Sequence, residues 1–252
     1  MPAYGSPASD DLGHRVLVPR PVRRVVSLVP SLTESVADSG LLVGATDWCV
    51  EPAGLDVVRV GGTKNPRVPD VLALEPDLEL ANEEENRRAD VEALRAAGVA
   101  VWVTAPRTVP AALTSLGRLL AVCGIGSPPW YAAACAAWPP GPPPAPVRHA
   151  VVPIWTKPWM ALGRETFAGD VLARLGVANV LAGSAERYPR FAVADLPPYD
   201  LVVLPDEPYA FGPGDEAPFA PVPAAFVSGR HLTWYGPSLA EAPGVLRDQL
   251  GL

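Results

Sequence analysis

The sequence predicts an α/β fold of two similar lobes joined once. Three observations carry that expectation. Short apolar, β-branched runs alternate with helical segments, which implies right-handed βαβ units around a parallel sheet. A block of prolines interrupts the alternation near the middle of the chain, and one local plan recurs on both sides of it. The 252 residues suffice for one or two domains with a sizeable core. The divisions expected are a flexible arm at 1–21, an N-terminal αβ lobe at 22–127, a linker helix with Pro-rich segment at 128–147, and a C-terminal αβ lobe at 148–252.

Met1 to Arg20, rich in Pro, Ser and Asp, reads as a loose arm. Order begins at Val22, and the run Arg24 to Val29 reads as a strand because β-branched residues favour it. Ser31 stands three residues before Glu34, a capping box for a helix that Gly40 closes. Leu42–Ala45 follows as a strand, then an irregular stretch from Thr46 to Pro69. Asp70–Leu74 is a short helix, broken by Pro76-Asp77 before a strand at Leu78–Ala81. Asn86–Ala97 and Val109–Val122 are helices around a strand at Val99–Thr104.

Trp130–Trp138 spans two or three helical turns, and Pro139 to Pro144 favours a stiff, extended segment. Beyond it, a strand at His149–Trp155 is expected to begin buried. A helix follows at Thr166–Leu175, with strands at Leu201–Leu204 and Ala224–Val227. Pro237 opens a closing helix that Pro243 and Gly244 interrupt. Leu196 to Leu204, with Pro197, Pro198 and Asp200 before its strand, repeats the plan of Leu72 to Ala81.

Composition narrows the function classes. A formal charge of −7 argues against nucleic acid as the main partner. No apolar run approaches the roughly 18 residues that span a bilayer, so no membrane insertion is expected. The opening residues carry no continuous apolar segment of the secretory kind, and Cys49 is too far in for a lipid anchor. With three sparse cysteines (Cys49, Cys123, Cys135) read as reduced thiols, a cytoplasmic location is expected. The chain has no Gly-x-Ser-x-Gly elbow, Walker-type loop or Gly-x-Gly-x-x-Gly fingerprint, so it reads as no enzyme. Without a His or Cys cluster no protein-held metal is expected, and His231 is the only histidine worth testing as a metal ligand.

In open parallel sheets ligands sit beyond the carboxyl ends of the strands. The unusual residues fall in such loops: Trp48 and Cys49; Thr63, Lys64 and Asn65; Asn82, Glu84, Asn86 and Arg87; Trp155, Lys157 and Trp159; Tyr209; Trp234 and Tyr235. Both lysines of the chain, Lys64 and Lys157, follow a threonine in a turn. Each group also has a plainer use. Trp155 and Trp159 suit lobe packing, Trp48 suits a hydrophobic edge, and Glu83 to Glu85 suit a solvated helix start. Gathered around one cleft between the lobes, they suit a large, flat, partly apolar ligand with polar edges.

At these same residues the chain resembles cobalamin-binding proteins of the helical-backbone metal receptor family. These are substrate-binding proteins of ABC importers for vitamin B12, siderophores and heme. The resemblance is carried by Val25 to Glu34, Gly61-Gly62-Thr63-Lys64-Asn65-Pro66, Leu74 to Leu78, Ala81 to Arg87, Trp155, Pro158-Trp159, Gly163-Arg164-Glu165-Thr166-Phe167, Glu207-Pro208-Tyr209 and Thr233-Trp234-Tyr235-Gly236. It implies two Rossmann-like αβ lobes joined by a single linking helix, here shortened, with the ligand clamped between them. It also implies that Trp48, Thr63, Asn82 and Pro158-Trp159 face the ligand, that Trp234 and Tyr235 close over it, and that Arg164 belongs to the set. Family receptors dock on permease arginines through one acidic residue per lobe. Pro69 and Ala173 stand at those places, with Asp70 adjacent, which speaks against docking.

The function expected is non-catalytic binding of cobalamin or a related corrinoid, with no protein-bound metal. Two alternatives stay open. One is an importer receptor for a siderophore or heme with a misassigned start. The other is a tetrapyrrole-handling enzyme or chaperone acting through Cys49, Lys64 or Glu84.

Overall fold

The computed structural model describes Ala3–Tyr4 and residues 8–252. The chain divides into two compact units. Unit one comprises Met1–Pro106, Ala112–Ala132 and Tyr235–Pro237; unit two comprises Arg107–Ala111, Ala133–Trp234 and Ser238–Leu252. The helices Val109–Cys123 and Pro129–Ala137 each begin in one unit and end in the other.

Unit one is built on a five-stranded sheet in the order Val101–Thr104, Leu78–Asn82, Val25–Ser27, Leu42–Ala45, Val58–Arg59, with every neighbouring pair parallel. The chain starts in the middle strand, winds outward one way, then crosses to the other side. The order therefore reverses between Val25–Ser27 and Leu78–Asn82, the position where open α/β sheets form a ligand crevice. Leu78–Asn82 is buried throughout, as a central parallel strand with both faces covered must be. Val26, Leu28, Val71, Ala81, Val91, Leu94, Val101 and Val103 form the core on one face.

The N-terminal arm corrects the sequence reading. Met1, Pro2 and residues 5–7 lie outside the described residues, but the remainder is anchored. Ala8–Ser9 pairs with Arg15–Val16, and Val16 and Val18 are buried. The Asp10 carboxylate accepts from the amides of Leu12 and His14 and pairs with Arg95 at 3.1 Å. Asp11 pairs with Arg118 and accepts from Ser115 Oγ and the Ala105 amide. Two of the Asp residues that read as loose chain, Asp10 and Asp11, supply the anchors.

The first helix runs Pro30–Val36, and the capping box is not made: Val29 is the cap residue and contributes no side-chain bond. Proline at the first helical position removes one orphan amide by itself, so no cap is required there. The third helix starts at Arg88 rather than Asn86 because Asn86 is used elsewhere: its Oδ1 accepts from the Asn82 amide at 2.8 Å. The stretch after Ala45 is less irregular than expected, with Gly61–Gly62 paired to Asn65–Pro66 in a hairpin.

Unit two carries a four-stranded parallel sheet in the order Val177–Asn179, Arg148–Val151, Leu201–Pro205, Ala224–Val227. Its order reverses between Arg148–Val151 and Leu201–Pro205, a second crevice position. The strand expected over His149–Trp155 is two: Arg148–Val151 stays in the sheet, and Pro153–Thr156 turns back on Trp159–Ala161 as a hairpin. His149 is exposed rather than buried, because it lies at the amino end of its strand. Thr166 caps the helix Phe167–Arg174, its Oγ1 accepting from the Gly169 amide. Pro243 does not interrupt the last helix but stands in the first turn of Ala242–Leu250, where proline is favoured.

Candidate functional site

In unit one the loops after three strands meet at the carboxyl end of the sheet. Arg59 donates to the carbonyls of Thr46 and Cys49, both at 2.8 Å, and so shapes the turn that carries Trp48. Cys49 is fully buried. Thr33 Oγ1 donates to its sulfur at 3.0 Å, Thr46 Oγ1 lies at 3.1 Å, and burial pushes the thiol pKa up. Trp48 is the reverse, 69% exposed. Its indole lies over the Gly61–Pro66 hairpin, where a Cβ at Gly62 would stand 3.7 Å from its Nε1. Lys64 Nζ donates to the Glu84 carbonyl, and Asn86 Nδ2 donates to the Thr63 carbonyl at 3.0 Å and the Leu28 carbonyl at 3.3 Å.

The loop Glu83–Arg87 is held from beneath. Asn82 Oδ1 accepts the amides of Glu84 and Glu85 at 2.7 and 3.1 Å. Asn82 Nδ2 donates to the Thr104 carbonyl at 3.0 Å and to the Tyr235 hydroxyl at 2.6 Å. Thr104 Oγ1 gives its proton to the Ala81 carbonyl, so the Tyr235 hydroxyl donates to Thr104 Oγ1 at 2.8 Å. Burial pushes the Tyr235 phenol well above its ordinary pKa and keeps that proton in place.

Several candidate residues therefore change role. Cys49, Asn82, Asn86 and Tyr235 are buried and spend their polar atoms on internal partners; they build the face from below. Arg87 makes a two-pronged pair with Asp90 at 2.8 and 3.1 Å. Trp48, Thr63, Lys64, Asn65 and Glu84 stand together at the surface of unit one. The helper residues Thr33, Arg59 and Thr104 were missed, since a buried Thr or a loop-bracing Arg leaves no local mark in a sequence.

In unit two the hairpin Pro153–Ala161 and the loop after Leu201–Pro205 flank the reversal of strand order. Trp155 is 45% exposed and meets Tyr209 edge to face, with centroids 5.4 Å apart. Its Nε1 donates to the Lys157 carbonyl at 3.2 Å, and the Lys157 side chain is exposed. Trp159 belongs to an aromatic cluster, stacked on Phe211 and edge-on to Phe219 at 5.2 Å, so it packs the hairpin onto the core. Arg164 is exposed in the segment that follows the hairpin.

Glu207, two residues before Tyr209, is half-buried. Its Oε2 accepts from Trp234 Nε1 at 2.9 Å, and Arg230 lies over the Trp234 ring at 5.9 Å. Burial raises the Glu207 pKa and neighbouring Asp206 adds to that, against the Trp234 N–H and Arg230. Gly229 makes this approach possible: a Cβ there would fall 2.5 Å from the Glu207 Cβ. His231 is not a free ligand for cobalt. Nδ1 lies 2.8 Å from Ser228 Oγ and Nε2 lies 3.0 Å from Glu241 Oε1, which occupies both ring nitrogens. Among the described residues no group of three or more His, Cys, Asp or Glu side chains is placed to hold a metal ion. Nor is any helix among them long and apolar enough to cross a membrane.

No protein-family model matches the chain, and no curated protein sequence matches it. Solved structures do match. The periplasmic vitamin B12-binding protein BtuF of Vibrio cholerae superposes with a TM-score of 0.70 at 17% identity, over 92% of this chain and 97% of that one. The periplasmic heme-binding protein RhuT of Roseiflexus sp. RS-1 gives 0.69 at 19% identity, over 91% and 98%. A periplasmic heme-binding protein of Pseudomonas aeruginosa gives 0.68 at 23% identity, over 91% and 93%. The chain thus shares the α/β fold of these neighbours, as the sequence motifs implied. The cytoplasmic location expected from the sequence is overturned: these neighbours are periplasmic, whereas that expectation rested on opening residues and sparse thiols.

Proposed function

We propose that this chain is a non-catalytic receptor for a corrinoid, cobalamin or a close relative. The observation that carries the reading is the pair of exposed indoles at the carboxyl ends of the parallel sheets: Trp48 in unit one, and Trp155, edge-on to the half-buried Tyr209, in unit two. Exposed indoles at crevice positions are the groups a broad apolar macrocycle covers, and offset or edge-on ring contacts are worth about 0.5–1.5 kcal/mol each beyond area burial. Likeness to binding proteins for vitamin B12 and for heme supports a metal chelate of this size. The amide-bearing member of that pair is the one proposed, because the loops after Leu78–Asn82 in unit one and after Leu201–Pro205 in unit two each carry carboxylates, Glu83 to Glu85 and Asp206 with Glu207, which suit ligand amides.

Tryptophan fluorescence titration tests the reading. Cyanocobalamin and cobinamide are expected to quench emission with micromolar or tighter affinity, after correction for ligand absorbance. Trp155→Ala is expected to weaken binding about 10-fold or more, the cost of a central aromatic anchor of about 1.4 kcal/mol or above. Unchanged emission with both corrinoids at tens of micromolar overturns the proposal, and quenching by heme alone replaces the corrinoid with heme.

A further inference from the structure

We infer that Glu207 is a specificity-determining residue, selecting ligands whose rim beside Trp155 and Tyr209 carries carboxamides over those with a carboxylate there. The inference rests on the corrinoid reading and adds the group that discriminates. Glu207 opens the loop that follows the buried strand Leu201–Pro205, at the reversal of strand order in unit two. Two residues on, Tyr209 meets the exposed Trp155. The carboxylate is thus carried on the same short loop as Tyr209, the ring that meets Trp155 of the hairpin.

Its position is set from three sides. Oε2 accepts the Trp234 indole proton at 2.9 Å. Gly229 lets the Glu207 backbone and Cβ approach the helix Gly229–Thr233, and the Gly229 amide is in turn held by Asp206 Oδ1 at 2.5 Å. Arg230, the cation of that helix near Glu207, is shared with the Trp234 ring and with Glu241 at 3.5 Å. Asp206 adds a second negative charge from the same loop.

A half-buried carboxylate with an incomplete water shell acts through a lower effective dielectric than an exposed one. It accepts N–H donors well and repels another carboxylate strongly. A corrin ring presents carboxamides, whose NH₂ groups donate; hydrolysing one of them yields a carboxylate on the same macrocycle. Specificity arises here as much from the repelled group as from the accepted one.

The experiment compares cyanocobalamin with its monocarboxylic acid derivatives, each having one propionamide hydrolysed, by fluorescence titration of the full chain near pH 7.5. The unaltered chain is expected to bind cyanocobalamin at least 10-fold tighter than at least one of the monoacids. Glu207→Gln keeps an oxygen for the Trp234 proton and removes the charge, so it is expected to bring that ratio within about 3-fold. Glu207→Asp, which keeps the charge, is expected to retain most of the discrimination. Thermal unfolding of each variant reports that the fold is kept. A ratio unchanged in Glu207→Gln overturns the inference while leaving the corrinoid reading intact, as does equal binding of every monoacid by the unaltered chain. Absence of cyanocobalamin binding by the unaltered chain overturns the corrinoid reading and this inference with it.

Discussion

Replacing Glu79 by leucine is expected to raise the stability of unit one by several kcal/mol more at pH 8 than at pH 4. Glu79 stands in the strand Leu78–Asn82, in register with Val26 and Val101, and is fully buried. Neither carboxyl oxygen has a hydrogen-bond partner among the described residues, and burial pushes its pKa up to about 8 against the attraction of Arg95. Arg95 does little to offset this because it is already paired with Asp10 and Glu92. The native state therefore holds a proton that the unfolded chain releases above pH 4.5. Stability from this group is whole below pH 4.5 and falls as pH rises to about 8, where the native carboxyl also ionises. Over that window the loss is on the order of 4–5 kcal/mol at about 1.4 kcal/mol per pH unit. Urea unfolding from pH 4 to 9 checks it: the difference between variant and parent midpoints widens up to about pH 8 and then levels. A difference independent of pH would show that burial does not raise the Glu79 pKa in the native state.

Asn82→Ala is expected to destabilise unit one by about 2–4 kcal/mol, since it leaves several buried donors and acceptors unpaired at once. The Tyr235 hydroxyl, the Thr104 carbonyl and the amides of Glu84 and Glu85 each lose a partner. The loop Glu83–Arg87 is expected to open, read as faster hydrogen exchange at the Glu84 and Glu85 amides. Asn82→Asp separates the two roles. It keeps an acceptor for those amides but no longer donates to the Thr104 carbonyl, so exchange in the loop stays slow while stability drops. Rapid loop exchange in both variants would mean that Asn82 Oδ1 does not hold the loop.

The elements most legible in the sequence are those set by local patterns. Leu42–Ala45 and Ala224–Val227 are found at the expected residues because β-branched and small apolar runs between turn residues leave little else for the chain to do. The helix expected from Thr166 is found at Phe167–Arg174, with Thr166 as its cap rather than its first residue. Where local patterns misled, a distant partner intervened. Asn86 is drawn from the helix start by Asn82, Leu28 and Thr63, and the arm is pinned by Arg95 and Arg118. The hairpin at Pro153–Ala161 hides inside an apolar run because a turn through Lys157-Pro158 looks like a strand end from the sequence alone.

The candidate site divides in the same way. Residue type and loop position were enough to mark the aromatic, amide and charged groups at the carboxyl ends of two sheets. Periodicity and turn chemistry act over a few residues, and the loops they delimit carry those groups wherever the sheets form. Which groups face outward was decided only by the folded chain. Trp48 is exposed because its neighbour Cys49 is buried between Thr33 and Thr46. Tyr235 is buried because Asn82 and Thr104, more than a hundred residues away, need its hydroxyl. Burial and hydrogen-bond satisfaction are sums over contacts remote in sequence, so no local reading supplies them.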